Sequence, residues 1–496
     1  MIIKNDQSQV QSYLSDAANY RGFCDAVYFP ESEKELTNIV IEANKNKTPI
    51  TISGNGTGLT GGRVPEGGIV ISTEKLNKII EIDHAEKYAI VQPGVIMQEF
   101  QNIIEEQKLY YPPDPTETNC FIGATVATNA SGAKTFKYGS TRNFVLALNI
   151  ITADGDILYL ERGKQKIYDY KLNLITQNSR EINCIIPAYK MPETKNAAGY
   201  FCKRNMDAID LFIGSEGTLG IITEIKLKLL DKPQNILSSI IFFDKEINAL
   251  SFITEAREIS YLSRKNSASN NIDALALEFF DSNTLSFLKK DYPQIPNYTR
   301  TAVWFEQEYT EATYDLLLNK WINLINKHNG DENTAWFAAT NSEREKFKEF
   351  RHAVSWKVSE YIAQKNLMKV GTDTAVPDNV FIEFYNYAKE LAYNSGMEYV
   401  AYGHFGNSHL HLNLLPKDNQ EYEQAKYIYR LILEKAVSLD GTISAEHGIG
   451  KLKREYLLEM YGEKNIIKMA RLKKCLDQNL LLGSGNIFDV KYCGFV

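Results

Sequence analysis

The 496-residue sequence predicts an α+β fold in two subdomains: a glycine-rich first part, an antiparallel-sheet cap domain, and a C-terminal helical return. Three observations carry this expectation. Residues 35–73 read helix, strand, glycine-rich loop, strand. The polar segment DKPQN (231–235) separates a Gly-, Thr- and Asn-rich texture from one of strand-like runs alternating with helices. Near residue 440 the glycines return, and two helical runs follow. The expected divisions are 1–230, 231–444 and 445–496, the last completing the first domain and the active site.

The elements follow in order. ELTNIVIEANKNK (35–47) has apolar residues at helical spacing and ends in a Lys/Asn-rich stop. TPITIS (48–53) alternates as a strand, and IVIST (69–73) is a second. Residues 79–93 read as a hairpin and 95–109 as a helix. VLALNIITADGDILYL (145–160) and TLGIITEIKLKLL (218–230) carry strand patterns. In the second part SSIIFFD, ALALEFF and TAVWFEQ read as strands and 312–328 as a helix. KLKREYLLEMYG and IIKMARLKKCLD close the chain as helices.

Composition excludes several classes. Apolar residues are 44% and charged residues 24%, as in ordinary globular proteins. With 55 Lys plus Arg against 62 Asp plus Glu the net charge is −7, so no nucleic-acid partner is expected. No apolar run approaches the ~20 residues of a transmembrane helix, and the N-terminus lacks the apolar stretch of a signal peptide. The six cysteines (24, 120, 184, 202, 475, 493) contain no C-x-x-C pair. They suggest no disulfide framework, zinc finger or iron–sulfur set, and a reducing, cytoplasmic setting is expected.

Residues 53–68, SGNGTGLTGGRVPEGG, hold seven glycines. The string from Gly56 to Gly61 satisfies G-x-G-x-x-G, and Asp83 follows at about the right distance for a dinucleotide fold. That fold needs a helix opening at the last glycines. Here Pro65, Gly67, Gly68 and a strand come instead, so a Rossmann site is not expected. Successive glycines still let backbone N–H groups form an anion-binding concavity, which points to phosphate.

Four sequence blocks carry a resemblance. Ser53-Gly54-Asn55-Gly56-Thr57-Gly58 is similar to the pyrophosphate loop of the FAD-binding fold of vanillyl-alcohol oxidase and p-cresol methylhydroxylase. Tyr111 to Thr116, with Pro113 and Asp114, and Ile122 to Gly132, with Gly123, Ala124, Thr128, Asn129 and Ser131, resemble its second flavin segment. Lys137 to Thr141, around Gly139, continues it. Leu211 to Ile221, with Glu216 and Gly220, resembles the segment along the isoalloxazine and ribityl chain. The resemblance implies FAD, held without a covalent bond because the loop has no histidine for attachment.

Four of the seven histidines lie between 404 and 447. From 409 onward His409, His411 and Asn413 alternate with Leu410, Leu412 and Leu414, which places the polar residues on one strand face. Glu446 and His447 adjoin in Ser444-Ala-Glu-His-Gly. Two imidazoles and a carboxylate suit a divalent Zn, Fe or Mn ion, and a further His can act as base near neutral pH.

Both groups resemble motifs of the flavin-dependent D-2-hydroxyacid dehydrogenases: D-lactate dehydrogenase, the glycolate oxidase large subunit and D-2-hydroxyglutarate dehydrogenase. Carried over, His404, His411 and Glu446 match metal ligands, Asn413 a substrate contact, His447 the base, and Arg351 a grip on the substrate carboxylate. Asn407, Ser408 and His409 depart from the family's Asp-Gly-Asn, leaving His409 as a fourth ligand, a substrate contact or a packing variant. Gly371 stands where relatives that take larger diacids carry Lys, with Lys369 nearby. The tail, 477–487, departs from the family pattern at Ser484 and Asn486.

The resemblance implies oxidation of a small 2-hydroxy acid to the 2-oxo acid, with hydride passing to flavin N5. It also implies an electron acceptor such as a quinone, cytochrome or electron-transfer flavoprotein. A homodimer and peripheral association with a membrane stay open. The alternatives are the same fold acting on another alcohol or an ether-lipid-type substrate, and a flavin-binding partner subunit without turnover.

Overall fold

The computed structural model describes residues 2–495. Helix Glu33–Asn46 shows how local sequence fixes an element. Ser32 caps it by accepting from the Glu35 N–H at 3.2 Å, Glu33 and Glu35 sit in the first turn, and Lys47 closes it in the left-handed region. Its stripe of Leu36, Ile39, Val40 and Ala43 is buried. The face packs on a four-stranded sheet ordered Ile2–Lys4, Ala26–Phe29, Ile69–Ser72, Ile50–Ser53, whose last three strands run parallel. Parallel neighbours ordinarily need a helical crossover. Here Ile50–Ser53 and Ile69–Ser72 are joined by the glycine-rich loop alone, with no helix in it.

A five-stranded antiparallel sheet follows, ordered Ile79–Asp83, Tyr88–Val91, Ile221–Lys228, Val145–Ile151, Ile157–Glu161. The hairpin expected at 79–93 is in it, and the strand pattern at 145–160 forms a second antiparallel pair, Val145–Ile151 with Ile157–Glu161. The cap is an eight-stranded antiparallel sheet. Its centre pairs Ala276–Phe280 with Tyr399–Gly403, and that strand with His409–Leu414. The short strands Val370–Gly371 and Thr374–Ala375 both pair with His409–Leu414. Helix Asn341–Gln364 lies across this sheet and brings Arg351 inward. GTIS (441–444), which reads as strand-like, makes only one bridge, Thr442 to Ala375.

The C-terminal segment returns to the glycine-rich loop. Lys451 N–H donates to the Thr60 carbonyl at 2.8 Å, and Asn486 Nδ2 donates to the Gly62 carbonyl at 2.8 Å. Ile50 and Leu482 form a parallel bridge.

The cysteine expectation needs correction. Cys184, on strand Glu181–Ile185, is bonded to Cys475, on helix Glu463–Leu476. The partners are 291 residues apart, so no local spacing announces them; folding alone brings the strand against the helix. A cross-link of this kind typically contributes about 2–4 kcal/mol by restricting the unfolded chain. Cys24, Cys120, Cys202 and Cys493 remain as buried thiols. Cys475→Ser is expected to lower Tm by several degrees in differential scanning calorimetry and to abolish the effect of dithiothreitol on Tm. An unchanged Tm would show that the cross-link carries no stability.

Candidate active site

Two features shape the glycine-rich loop. Asp16, buried, accepts from the Gly61 N–H at 2.6 Å and the Ala18 N–H at 3.0 Å. Arg63 donates from Nη1 to the Gly54 carbonyl at 3.0 Å, while its buried Nε has no partner among the described residues. The backbone N–H groups of residues 55–58 also find no acceptor there. An unpartnered guanidinium Nε, on an Arg63 whose two other nitrogens are held by the Gly54 and Ser12 carbonyls, and a row of open N–H groups in one loop fit a phosphate-bearing ligand. Arg63 and Asp16 were not picked out from sequence, although an Arg inside a seven-glycine loop was a readable signal.

The loop opens on a cavity of about 130 Å³. Gly54, Asn55, Gly56, Thr57 and Gly58 line it on one side. Gly123, Ala124 and Thr128 meet them from helix Ile122–Thr128, and Glu216, Gly220 and Ile221 close a third side. Close packing explains Gly123: a Cβ there would lie 2.3 Å from the Cβ of Pro93.

Other residues expected around the flavin do not line this cavity. Ser53 is fully buried in its strand. The Pro113 carbonyl accepts from Gln101, and Asp114 accepts from the Lys134 N–H at 3.2 Å. Asn129 Oδ1 accepts from Ser140 Oγ and Arg142 N–H, both at 3.0 Å. Gly132 has the Asp114 carbonyl 2.1 Å from where a Cβ would sit, and Gly139 turns the chain at φ +84°. Ser131 points elsewhere, donating to Glu446 Oε1 at 3.2 Å. The Glu216 carboxylate accepts from the N–H groups of Ile449 and Gly450 at 2.7 and 2.6 Å, which shapes the turn after His447. Burial pushes its pKa up to about 7 against those donors.

The histidine cluster forms where the cap sheet meets this wall. The period-two alternation holds, and His409, His411 and Asn413 share a face while Leu410, Leu412 and Leu414 enter the core. One ligand atom from each of His404, His409, His411 and Glu446 lies within 4.8 Å of the others. His404 Nε2 is 3.1 Å from Glu446 Oε1, and His411 Nε2 is 3.7 Å from Glu446 Oε2. His409 thus joins the donor group.

Each imidazole has its remote nitrogen tied to an acceptor. His404 Nδ1 is 2.7 Å from Glu278 Oε1, His409 Nε2 is 3.0 Å from Asp373 Oδ1, and His411 Nδ1 is 3.2 Å from the Thr372 carbonyl. Placing the proton on the remote nitrogen leaves a lone pair on the near one, as metal-binding histidines require. The donor set therefore fits a divalent cation.

Charge is balanced around the cluster. Lys195 donates to Glu446 and reaches His409 Nδ1 at 3.4 Å. Arg351 donates from Nε to Glu278 at 3.0 Å, from Nη1 to Thr116 at 2.6 Å, and from Nη2 to His404 Nε2 at 3.0 Å. Burial opposes the charge on Glu446, but His404 and Lys195 outweigh it and hold the carboxyl well below its usual range. Burial likewise opposes charge on His404, yet Glu278 and Glu446 raise its pKa. Burial lowers the pKa of both His409 and His411.

Asp373 joins the cluster to His447. Besides His409, it accepts from the N–H groups of Glu446 at 3.2 Å and His447 at 3.0 Å, from Ser444 Oγ at 2.7 Å and from Lys453 Nζ at 2.9 Å. Its Oδ2 lies 3.3 Å from His447 Nδ1. The His447 ring stacks on that of His411 and lines the cavity beside the glycine loop. Burial depresses its pKa to about 4, so the imidazole is neutral and able to accept a proton at pH 7. Asn413 donates from Nδ2 to the Tyr402 hydroxyl at 3.3 Å, and its Oδ1 has no partner among the described residues.

Comparisons with known proteins place the chain among flavin-dependent enzymes. Residues 24–161 match the FAD binding domain family, and residues 259–487 match the C-terminal domain of FAD linked oxidases. A D-lactate dehydrogenase of Anaerostipes hadrus is 30% identical over 467 residues, covering 92% of this chain and 88% of its own. The glycolate oxidase subunit GlcD of Bacillus subtilis is 29% identical over 483 residues, covering 96% and 92%. A D-2-hydroxyglutarate dehydrogenase of Stutzerimonas stutzeri is 28% identical over 503 residues, covering 98% and 96%. A solved alkyldihydroxyacetonephosphate synthase shares the fold at TM-score 0.65 and 18% identity, covering 97% of this chain and 82% of its own. The chain belongs to the FAD-linked oxidase family, in its D-2-hydroxyacid branch. It is a flavin-dependent oxidoreductase.

Removing the charge of Asp373 is expected to loosen the cluster without emptying the flavin cavity. Asp373→Asn should weaken Zn²⁺ binding, measured by calorimetry, about 10–100-fold, with the flavin absorbance per protein unchanged. Wild-type zinc affinity in that variant would contradict the role given to Asp373.

Proposed function

We propose that the protein oxidises a D-2-hydroxy acid to the 2-oxo acid, with FAD against the glycine loop and a divalent cation held by His404, His411 and Glu446, His409 completing the set. The supporting observation is the pattern of tied remote nitrogens, which turns the near nitrogens of three imidazoles, two of them now facing Arg351 and Lys195, and one carboxylate toward one point beside the cavity that His447 also lines. The names of the relatives, D-lactate dehydrogenase, glycolate oxidase and D-2-hydroxyglutarate dehydrogenase, support the substrate class.

When bound, FAD supplies a two-electron acceptor and the cation a Lewis acid that lowers the pKa of a hydroxyl. The chain's own residues do the rest. Around the cluster Glu446, Glu278 and Asp373 face Lys195, Arg351 and Lys453. Adding a divalent cation makes this balanced nest positive, so an anionic substrate is drawn in. Arg351 is anchored through Glu278 and offers the substrate carboxylate the edge turned toward His404. Asn413, whose buried Oδ1 has no partner among the described residues, stands on the same strand face as a substrate contact. His447, held through Asp373, takes the hydroxyl proton as the hydrogen on Cα leaves with its electron pair. The C–H and O–H bonds break, the C=O bond forms, and two electrons reach the flavin. An acceptor such as a quinone, a cytochrome or an electron-transfer flavoprotein would reoxidise the reduced flavin.

His447→Ala is expected to keep FAD bound and to slow anaerobic bleaching by a D-2-hydroxy acid about 10²–10⁴-fold in stopped-flow, the usual worth of a general base. Bleaching at the wild-type rate would overturn the assignment.

A further inference from the structure

His447 lines a second cavity as well as the flavin one. This cavity measures about 280 Å³. Its walls come from strand Val370–Gly371 and Thr372, helix Asn419–Ser438 and the segment from Leu452 to Tyr456. Because the Thr372 carbonyl is the acceptor that fixes His411, the cavity and the histidine cluster share a wall.

Three tyrosines, Tyr422, Tyr429 and Tyr456, line the chamber together with Lys369, Lys426, Lys453 and Glu455. Tyr429 and Tyr456 meet edge to face at 5.3 Å. None of the three hydroxyls has a hydrogen bond among the described residues, although Tyr429 is buried. Lys369 lines the same space and has no ion-pair partner among the described residues. Gly371 lines the chamber and packs directly against Asn413 of the cluster strand. A Cβ there would lie 2.1 Å from Asn413 Oδ1, so no side chain can occupy it without displacing that oxygen.

We propose that this chamber receives the side chain of the substrate, and that the substrate is an aryl-bearing 2-hydroxy acid whose ring carries a polar tip. The inference rests on the hydroxy-acid reading above and names its substrate class. A 2-hydroxy acid held at the cluster with its hydroxyl on His447 has its third Cα substituent at the mouth of the chamber. A methyl group or a hydrogen leaves most of the space wet, since one water takes roughly 30 Å³ in the liquid. An aromatic ring takes up about half of it, since a cavity of ~150 Å³ holds benzene, and meets three other rings with favourable edge and face contacts. The open phenol hydroxyls and the Lys369 ammonium then face the ring's far end, where a phenol oxygen can accept.

The test is anaerobic flavin reduction with D-lactate, D-3-phenyllactate, D-3-(4-hydroxyphenyl)lactate and D-2-hydroxyglutarate. The apparent second-order constants of the aryl acids are expected to exceed that of lactate about tenfold or more, the usual worth of a filled apolar pocket, with the hydroxylated ring the faster. Tyr456→Ala and Tyr422→Ala should each erase much of this preference, through the half-saturating concentration, and leave reduction by lactate unchanged. Equal rates across the panel, a preference for hydroxyglutarate, or an equal loss on lactate and aryl acids in both variants would overturn the inference while the hydroxy-acid reading stands. If no acid bleaches the flavin, the hydroxy-acid reading itself fails, and the chamber assignment with it.

Discussion

One buried carboxylate, that of Asp373, ties the site together. It holds His409 of the donor cluster, the backbone of Glu446 and His447, the His447 ring, Ser444 and Lys453. Burial opposes its charge, but His447, Lys453 and His409 outweigh that cost and keep it ionised. A charge so deeply placed is tolerable only when each lone pair is used. The consequence is geometric: His409 of the donor cluster and His447 are positioned by the same group.

The fold explains why the two halves of the site meet. Asp373 stands between two short strands that pair with His409–Leu414, and the Ala445 N–H donates to its carbonyl at 2.7 Å. Glu216, from the wall of the flavin cavity, grips the other end of the same turn through Ile449 and Gly450. His447 is thus suspended between the cap sheet and the flavin wall. The C-terminal segment secures the arrangement by bonding back to the glycine-rich loop.

Much of this was legible in the sequence because periodicity and backbone chemistry are local. The alternation from His409 to Leu414 dictates a shared face, and Pro65, Gly67 and Gly68 forbid the helix a dinucleotide fold needs. The role of Arg351 was half legible: it reaches the site, but Glu278 claims one side of its guanidinium. Glu278, Asp373 and Lys195 went unread because a single charge has no spacing signature. Their signal was a charge where burial was expected, as in the apolar run ALEFF around Glu278. The Cys184–Cys475 bond was illegible because its partners are neighbours only after folding. The tyrosine-lined chamber is assembled from three distant segments, so no one of them announces it.

In the proposed reading, the side chains of His404, His409, His411 and Glu446 hold one divalent cation next to the flavin cavity. An anomalous difference map from crystals grown with Zn²⁺ or Mn²⁺ tests it most directly. The account requires a single strong peak among these side chains, with metal–ligand distances of about 2.0–2.2 Å and the Lys195 ammonium drawn off Glu446. A map without that peak, with Lys195 still on the carboxylate, would contradict it.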